Sequence, residues 1–333
     1  MRTINLGFPY EKTFDEIYYV KAAYEYLDGK PDSNSVHPPL AKIQLAGAVL
    51  VFEVSKSLGL HNLPETVGWR YFLALMGTGV VALTAWLAMI LTRNPRLSLL
   101  ATALVAVEHL SVSESRITTL DNIQVFWITL ATCCAAQRLF RSNQDAWLWA
   151  SALAMGVATA CKWNGLFAAF GVSLALMGLV RLTAGGSEEP VRLSWARFFK
   201  VPLVMALCIS AVYVLSYLPY RNLYPEKDIP TITTEVLKQH ERMIKFRYDE
   251  KQFKHTYISQ FYQWPFVVRP IWFHYKTQGQ NCTGIVAFGM IPFWWLAFYL
   301  LLETSVSCWR RENNDPVGQF LVLAYLSQWL LWA

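Results

Sequence analysis

Two adjacent carboxylates, Asp15 and Glu16, stand in the segment Thr13-Phe14-Asp15-Glu16, followed at Val36 by His37-Pro38-Pro39-Leu40-Ala41-Lys42. A carboxylate that accepts the proton of an attacking hydroxyl contributes about 10²–10⁴-fold to a reaction rate, so an acidic pair suits general-base chemistry. The same four residues also match a capping box, with Thr13 at the N-cap and Glu16 three residues on. Acids in a first helical turn complement the helix dipole as well. On local grounds both readings stand, for Asp15 and for Glu16. In His37-Pro38-Pro39 the prolines fix two consecutive φ angles and push His37 into an extended conformation. That corner either holds an imidazole in place or simply turns the chain into a helix.

Two isolated cations complete the set. Arg116 lies in Ser113-Glu114-Ser115-Arg116-Ile117-Thr118-Thr119-Leu120-Asp121-Asn122, and Lys162 in Cys161-Lys162-Trp163-Asn164-Gly165. Asp121 either caps the helix that follows it or serves a site.

The elements that must position these groups are membrane helices. Of the 333 residues 54% are hydrophobic and 16% charged, too apolar a balance for an ordinary soluble domain. The 14 Trp, 16 Tyr and 19 Phe suit bilayer interfaces. Eight stretches approach the roughly 17–25 apolar residues that a span needs: 71–91, 97–113, 120–137, 146–161, 163–180, 201–219, 284–302 and 317–333. An all-α polytopic membrane protein is therefore expected.

Its organisation is expected in four parts. Residues 1–69 form a polar loop with interfacial amphipathic helices, 70–219 a six-span core, 220–283 a second polar loop, and 284–333 two more spans. In the first loop Ile17, Val20, Tyr24 and Leu27 recur at helical spacing. A second run sets Ile43, Leu50, Val54 and Leu58 against Lys42, Glu53 and Lys56, as in helices that lie in the interface plane.

Alternation of the spans puts Arg93, Arg96, Arg138, Arg141, Arg181, Arg192, Arg197, Lys200, Arg310 and Arg311 on one side. The short loops of the other side carry only Arg116 and Lys162. By the positive-inside rule the first side is cytoplasmic, and the face with the acidic pair looks outward. Two cations against that rule on one face suggest an anionic ligand at the outer surface. A phosphate fits, bound bidentately by Arg and as a point charge by Lys.

The net charge of +6 lies in loops and fits topology control and anionic lipid rather than nucleic acid. Cys133, Cys134, Cys161, Cys208, Cys282 and Cys308 lack metal-ligand or disulfide-framework spacing and read as small buried filler. The chain opens in polar sequence without a signal peptide. Ala184-Gly185-Gly186-Ser187-Glu188-Glu189-Pro190 reads as a flexible cytoplasmic linker. The aromatic stretch that includes Trp264-Pro265 and Arg269-Pro270-Ile271-Trp272 is either an interfacial belt or part of a site.

Phe14-Asp15-Glu16, the run from Val36 to Lys42, Ser115-Arg116 through Leu120-Asp121, Lys162-Trp163-Asn164-Gly165, and Trp264-Pro265 through Arg269-Pro270-Ile271-Trp272 together resemble the protein O-mannosyltransferase family. The motifs follow the family's order from about residue 8 onward. The resemblance implies a membrane-embedded glycosyltransferase of the C-type fold. Such an enzyme moves mannose from a polyprenyl phosphate carrier to Ser or Thr hydroxyls of a protein acceptor, with inversion at the anomeric carbon. It implies catalytic roles for Asp15 and Glu16, with Asp15 the favoured base, and donor-phosphate contacts from Arg116 and Lys162. His37, Asp121, Asn164, Trp264, Arg269 and Trp272 are implied to bind substrate or shape the site. No cofactor and no metal is implied; the partners are the lipid donor, the protein acceptor and the bilayer.

Three departures from the family pattern stand out. A span expected before the acidic pair is missing, further spans are expected after the last residue, and segment 220–283 lacks an inserted β-trefoil domain, as in bacterial members. Truncation at both ends is expected on this comparison, which keeps an inactive fragment among the alternatives. A related transferase acting on lipid or cell-wall glycan is another. A transporter of lipid-linked anions would need ionisable groups near mid-membrane, and the stretches 71–91, 163–180 and 201–219 have none.

Overall fold

The computed structural model describes residues 1–180, 195–248, 258–310 and 315–332. The expected linker at 184–190, Arg181, Arg192 and Arg311 lie outside the described residues.

Thirteen α-helices and one hairpin make up the described chain. Two helices precede the first long span, α1 (Glu16–Leu27) and α2 (Leu40–Ser57). The buried side of α2 carries Leu45, Val49 and Phe52, while Leu50, Val54 and Leu58 stay exposed. The face turned away from the protein thus carries an apolar stripe beside the exposed Glu53 and Lys56, as in a helix resting on a bilayer. Lys42 does not join a solvated polar stripe as its spacing suggested. It is fully buried on Asp32, because the Pro-Pro corner folds the 32–37 loop back over the first turn of α2.

The helices α3 (Glu65–Thr92), α4 (Pro95–Val107), α5 (His109–Glu114), α6 (Leu120–Phe140), α7 (Asp145–Cys161), α8 (Gly165–Leu174) and α9 (Trp195–Leu215) follow. Their common core joins Ala131 and Ala135 of α6 to Ala152, Met155 and Ala158 of α7, Ala168 and Val172 of α8, and Val204 and Met205 of α9. Small residues let these backbones approach closely, the usual basis of helix association in lipid. A Cβ at Gly171 would stand 2.6 Å from the Leu323 carbonyl oxygen, so α8 and α13 (Pro316–Leu330) touch at that glycine.

Beyond α9 come α10 (Tyr220–Leu223), α11 (Ile229–Tyr248), a 3₁₀ turn (Phe261–Phe266), the strands β1 (Ile271–Gln278) and β2 (Asn281–Ala287), and α12 (Ile291–Arg310). The strands pair antiparallel around Gly279, whose φ is +62°. The apolar run at 284–302 therefore does not begin as a span. Its first residues, from Gly284 to Ala287, belong to β2, and a short apolar run cannot by periodicity alone be told from a strand.

Among the described residues, four helical stretches are long and apolar enough to cross a membrane: Glu65–Thr92, Leu120–Phe140, Trp195–Leu223 and Ile291–Cys308. Pro95–Val107 and Gly165–Gly178 are shorter apolar helices. The expected stretch 97–113 is broken at Glu108, whose extended backbone ends α4 while its carboxylate accepts from the Leu110 and Ser111 amides to start α5. The stretch 163–180 passes from α8 into a π-helical turn, Ala175–Leu179, with Gly178 at φ +113°.

One buried ion pair ties the N-terminal loop to this bundle. Arg70 of α3 and Glu16 of α1 both have side chains 0% exposed, and Arg70 donates to Glu16 from Nε (2.8 Å) and Nη2 (2.7 Å). Its remaining hydrogens go to the carbonyls of Leu6, Gly7, Pro9 and Glu11. Removing one member of such a buried pair strands the other charge, at a cost of about 3–5 kcal/mol. Arg70→Met is expected to lower stability on that scale and to open the 6–11 loop. Thermal denaturation and limited proteolysis in detergent would measure it, and a variant as stable as the parent would refute the assignment.

Candidate active site

The two members of the acidic pair go to different places. Phe14 adopts φ +51°, a left-handed conformation that a bulky residue takes only when its surroundings hold it there. Its ring lies against Phe273 of β1, with centroids 4.8 Å apart. This turn sends Glu16 inward and leaves Asp15 at the N-cap of α1. Asp15 makes no side-chain capping bond. Glu16, for which both a catalytic and a capping reading stood, is fully buried in a hydrogen-bonded network. Beyond Arg70 it accepts from the Thr13 amide (3.0 Å), the Thr13 hydroxyl (3.1 Å) and the Thr118 amide (3.0 Å). The Thr13–Glu16 contact expected of a capping box is present, but the helix starts two residues beyond Thr13's expected cap position.

Asp15 faces Asp121 and Lys162 and accepts a hydrogen bond from Tyr19. Burial, and then the charge of Asp121, raise the Asp15 carboxyl above its ordinary value, against the opposing pull of Lys162 and Tyr19. Lys162 Nζ bridges both Asp121 oxygens at 2.8 and 3.0 Å. Three elements converge here: the start of α1, the start of α6 and the end of α7.

The Lys162 connection is locked from behind. Gln124 of α6 donates to the carbonyls of Ala158 (3.0 Å) and Lys162 (2.7 Å). A Cβ at Gly165 would come within 2.7 Å of the Thr159 amide nitrogen, so the tight reversal after Lys162 needs a glycine.

His37 stands on the same side. Lys42, fully buried, donates to Asp32, to the Asn34 carbonyl (2.8 Å) and to the His37 carbonyl (3.3 Å). The Pro-Pro corner is thereby fastened to α2. Burial, with Lys162 and Lys42 nearby, pushes the His37 imidazole down to about 3, so it is neutral at physiological pH. His37, Lys162, Trp163 and Asn164 line a cavity of about 280 Å³ that Arg247 and Trp332 also border. The Asn164 Oδ1 atom is buried without a hydrogen-bond partner, an acceptor left open beside this cavity.

The other expected residues lie apart from this cluster. Arg116, expected beside Lys162, donates instead to the carbonyls of Met1 (2.7 Å), Ile4 (2.7 Å) and Asn5 (3.3 Å), fastening the N-terminal segment to the start of α6. Trp264 and Arg269 line a different cavity of about 440 Å³. Trp264 reaches the first cavity only through its ring contact with Trp332, centroids 5.7 Å apart. Trp272 is exposed on β1 against Tyr275.

Several residues that matter were not singled out from the sequence, Arg70, Tyr19, Asp32 and Glu114, and Lys42 was read only as part of a polar stripe. Arg70 carried a usable signal. It is a cation at the mouth of a span, as Arg116 and Lys162 are.

Glu114 sits at the edge of the cluster, accepting from the Thr119 hydroxyl at 2.8 Å. Desolvation, and then Asp121, push its carboxyl up from the ordinary 4.5 to about 7. Between those values the folded protein binds the proton that the unfolded chain releases. The associated stability is present below about pH 4.5 and lost as pH rises through about 7. Glu114→Gln is expected to melt above the parent at pH 8 and to lose that advantage at pH 5. Equal melting differences at both pH values would refute the assignment.

Comparison with known proteins identifies the family. A family model described as dolichyl-phosphate-mannose-protein mannosyltransferase matches residues 1–223. The chain is 24% identical to a polyprenol-phosphate-mannose–protein mannosyltransferase of Mycolicibacterium smegmatis, covering 99% of this chain and 73% of that protein. It is 28% identical to dolichyl-phosphate-mannose–protein mannosyltransferase 1 of Candida albicans, over 64% of this chain and 26% of the relative. Among solved structures, the S. cerevisiae protein O-mannosyltransferase Pmt1-Pmt2 complex, bound to its sugar donor, superposes with a TM-score of 0.54 at 26% identity. That match covers 67% of this chain and 32% of the yeast chain. The matched region takes in the whole Asp15, His37, Asp121 and Lys162 cluster, and the chain belongs to the dolichyl-phosphate-mannose-protein mannosyltransferase family.

Proposed function

We propose that this chain transfers mannose from a polyprenyl-phosphate-mannose donor to Ser or Thr hydroxyls of a protein acceptor. The observation that carries the reading is the meeting of an uncapped carboxylate, Asp15, with a lysine held by Asp121 at the mouth of a cavity.

The chemistry follows from those groups. The acceptor hydroxyl oxygen forms a bond to the anomeric carbon while the bond from that carbon to the phosphate oxygen breaks, with inversion. Asp15 takes the hydroxyl proton, and its raised affinity for protons makes it a stronger base than an ordinary carboxylate. The bonding pair leaves with the polyprenyl phosphate, already a stable anion, which needs electrostatic stabilisation rather than a proton. Lys162 supplies that charge. Asp121 keeps the ammonium aimed before the donor arrives, and Asn164 Oδ1 offers an acceptor for a sugar hydroxyl. Neutral His37 hydrogen-bonds without adding charge. Glu16 acts through structure, by holding the start of α1 on Arg70. Arg116 holds the N-terminal segment, and Trp264, Arg269 and Trp272 shape the surroundings.

The plasma membrane, with the site facing outward, is the setting that the lopsided loop charges support. On this reading 1–69 and 220–287 cover the outward face, while spans lie within 70–219 and from Ile291 onward.

Asp15→Asn is expected to abolish mannose transfer from labelled polyprenyl-phosphate-mannose to a Ser/Thr peptide while membrane insertion and melting stay intact. Near-normal transfer by that variant would remove Asp15 from the role of base. Lys162→Ala is expected to raise the donor KM and lower kcat by about 10²-fold, the scale of losing one preorganised charge contact. Arg116→Ala should change the donor KM less than Lys162→Ala does. The reverse order would return the phosphate to Arg116.

A further inference from the structure

The helices that build the candidate site also carry a basic cavity at their other ends. Asp121 opens α6 and Arg138 lies in its last turn, about 26 Å away at 1.5 Å per residue. In the same way α7 begins at Asp145 and ends one residue before Lys162. The ends of α6, α7 and α9 away from the site enclose a cavity of about 340 Å³, lined by Arg138, Arg141, Arg197, Lys200 and Asp145. Four cations against one carboxylate leave a net charge of +3 facing one small space.

The carboxylate offsets one of the four positive charges and lies between two of the cations. Asp145 bridges Lys200 (2.5 Å) and Arg138 (3.3 Å), drawing a helix end and a helix start together. Arg141 is oriented by a bond to the Met89 carbonyl (2.5 Å) at the end of α3. The floor is apolar, formed by Leu148, Leu176 and Val201. Charged rim and apolar floor together match a molecule with an anionic head and a hydrocarbon body. The neighbouring surface is that of a membrane interface. Trp195 and Phe199 are 76% and 64% exposed, and their rings stack at 6.2 Å on the first turn of α9, beside Arg197 and Lys200.

We propose that this cavity is a binding site for the phosphate group of an anionic membrane lipid, on the membrane face opposite the candidate active site. Basic pockets between spanning helices suit such headgroups, and each Lys or Arg near the surface contributes about 1 kcal/mol. Arginine grips phosphate bidentately, lysine as a point charge. The bound lipid would clamp the ends of α6, α7 and α9, whose opposite ends carry Asp121 and Lys162.

The test uses the full chain in nanodiscs of phosphatidylcholine alone, of phosphatidylcholine with phosphatidylglycerol, and of phosphatidylcholine with inorganic phosphate in the buffer. Phosphatidylglycerol is expected to raise the thermal midpoint and to remain bound in native mass spectrometry. The R197Q/K200Q double variant should weaken its retention about thirty-fold, the equivalent of two such contacts. Asp145→Asn should act in the opposite direction and tighten retention by removing the one opposing charge, an outcome that mere damage to the fold would not produce. Equal stabilisation by phosphatidylcholine alone, or retention unchanged in both variants, would overturn the proposal. Inorganic phosphate matching the effect of phosphatidylglycerol would overturn the assignment to lipid.

Discussion

The structure around the candidate site depends on the burial of one charge pair, Glu16 with Arg70. Two ions removed from water are a net cost unless each remaining donor and acceptor finds a partner. Here nearly every one does. Glu16 collects Arg70, Thr13 and the Thr118 amide, and Arg70 adds four carbonyls of the loop before α1. The pair joins three distant parts of the chain: the N-terminal loop, the start of α3, and the approach to α6. Asp15 is displayed because its neighbour is committed. A carboxylate next to a buried, fully bonded one has its backbone position set and its side chain left for other uses.

The same economy of placement governs the cluster around Asp15. Three acids, Asp15, Glu114 and Asp121, gather near one lysine, and burial first, then the charge of Asp121, raises the proton affinity of Asp15 and Glu114. Lys162 prefers Asp121, at 2.8 Å, so its charge is fixed at the opening of α6. Lys42 and Asp32 repeat the logic one layer deeper, where a buried pair holds the loop that carries His37. Each of these groups therefore sits on a rigid support, and each support is itself a buried polar network anchored on a helix.

Those helices connect two chemically different ends. At one end of α6 and α7 Lys162, paired with Asp121, faces a cavity that Arg247 also borders; at the other, four cations surround an apolar floor. A bilayer provides opposite environments at its two faces, so one helix pair can serve a reaction on one face and a lipid contact on the other.

Much of this could be read from residues alone. The apolar stretches gave a polytopic helical protein because spanning hydrocarbon demands length and hydrophobicity, both local properties. The motifs that carry Asp15, His37, Asp121 and Lys162 were legible because such residue types in order are rare in so apolar a chain. Three matters escaped, all decided by distance in space rather than in sequence. The resemblance favoured Asp15 over Glu16 as base, but the burial of Glu16 depends on Arg70, 54 residues beyond it. Arg116 and Lys162 looked alike as cations at span edges, until one met backbone carbonyls of the N-terminal segment and the other met Asp121. The run after Gly284 reads as a span until β1 pairs with it. Sequence alone determined the class of protein and the short list of reactive groups, since these rest on composition and local order. Which member of each pair is bound into the fold was decided only by tertiary structure, because a buried charge takes its meaning from its partner.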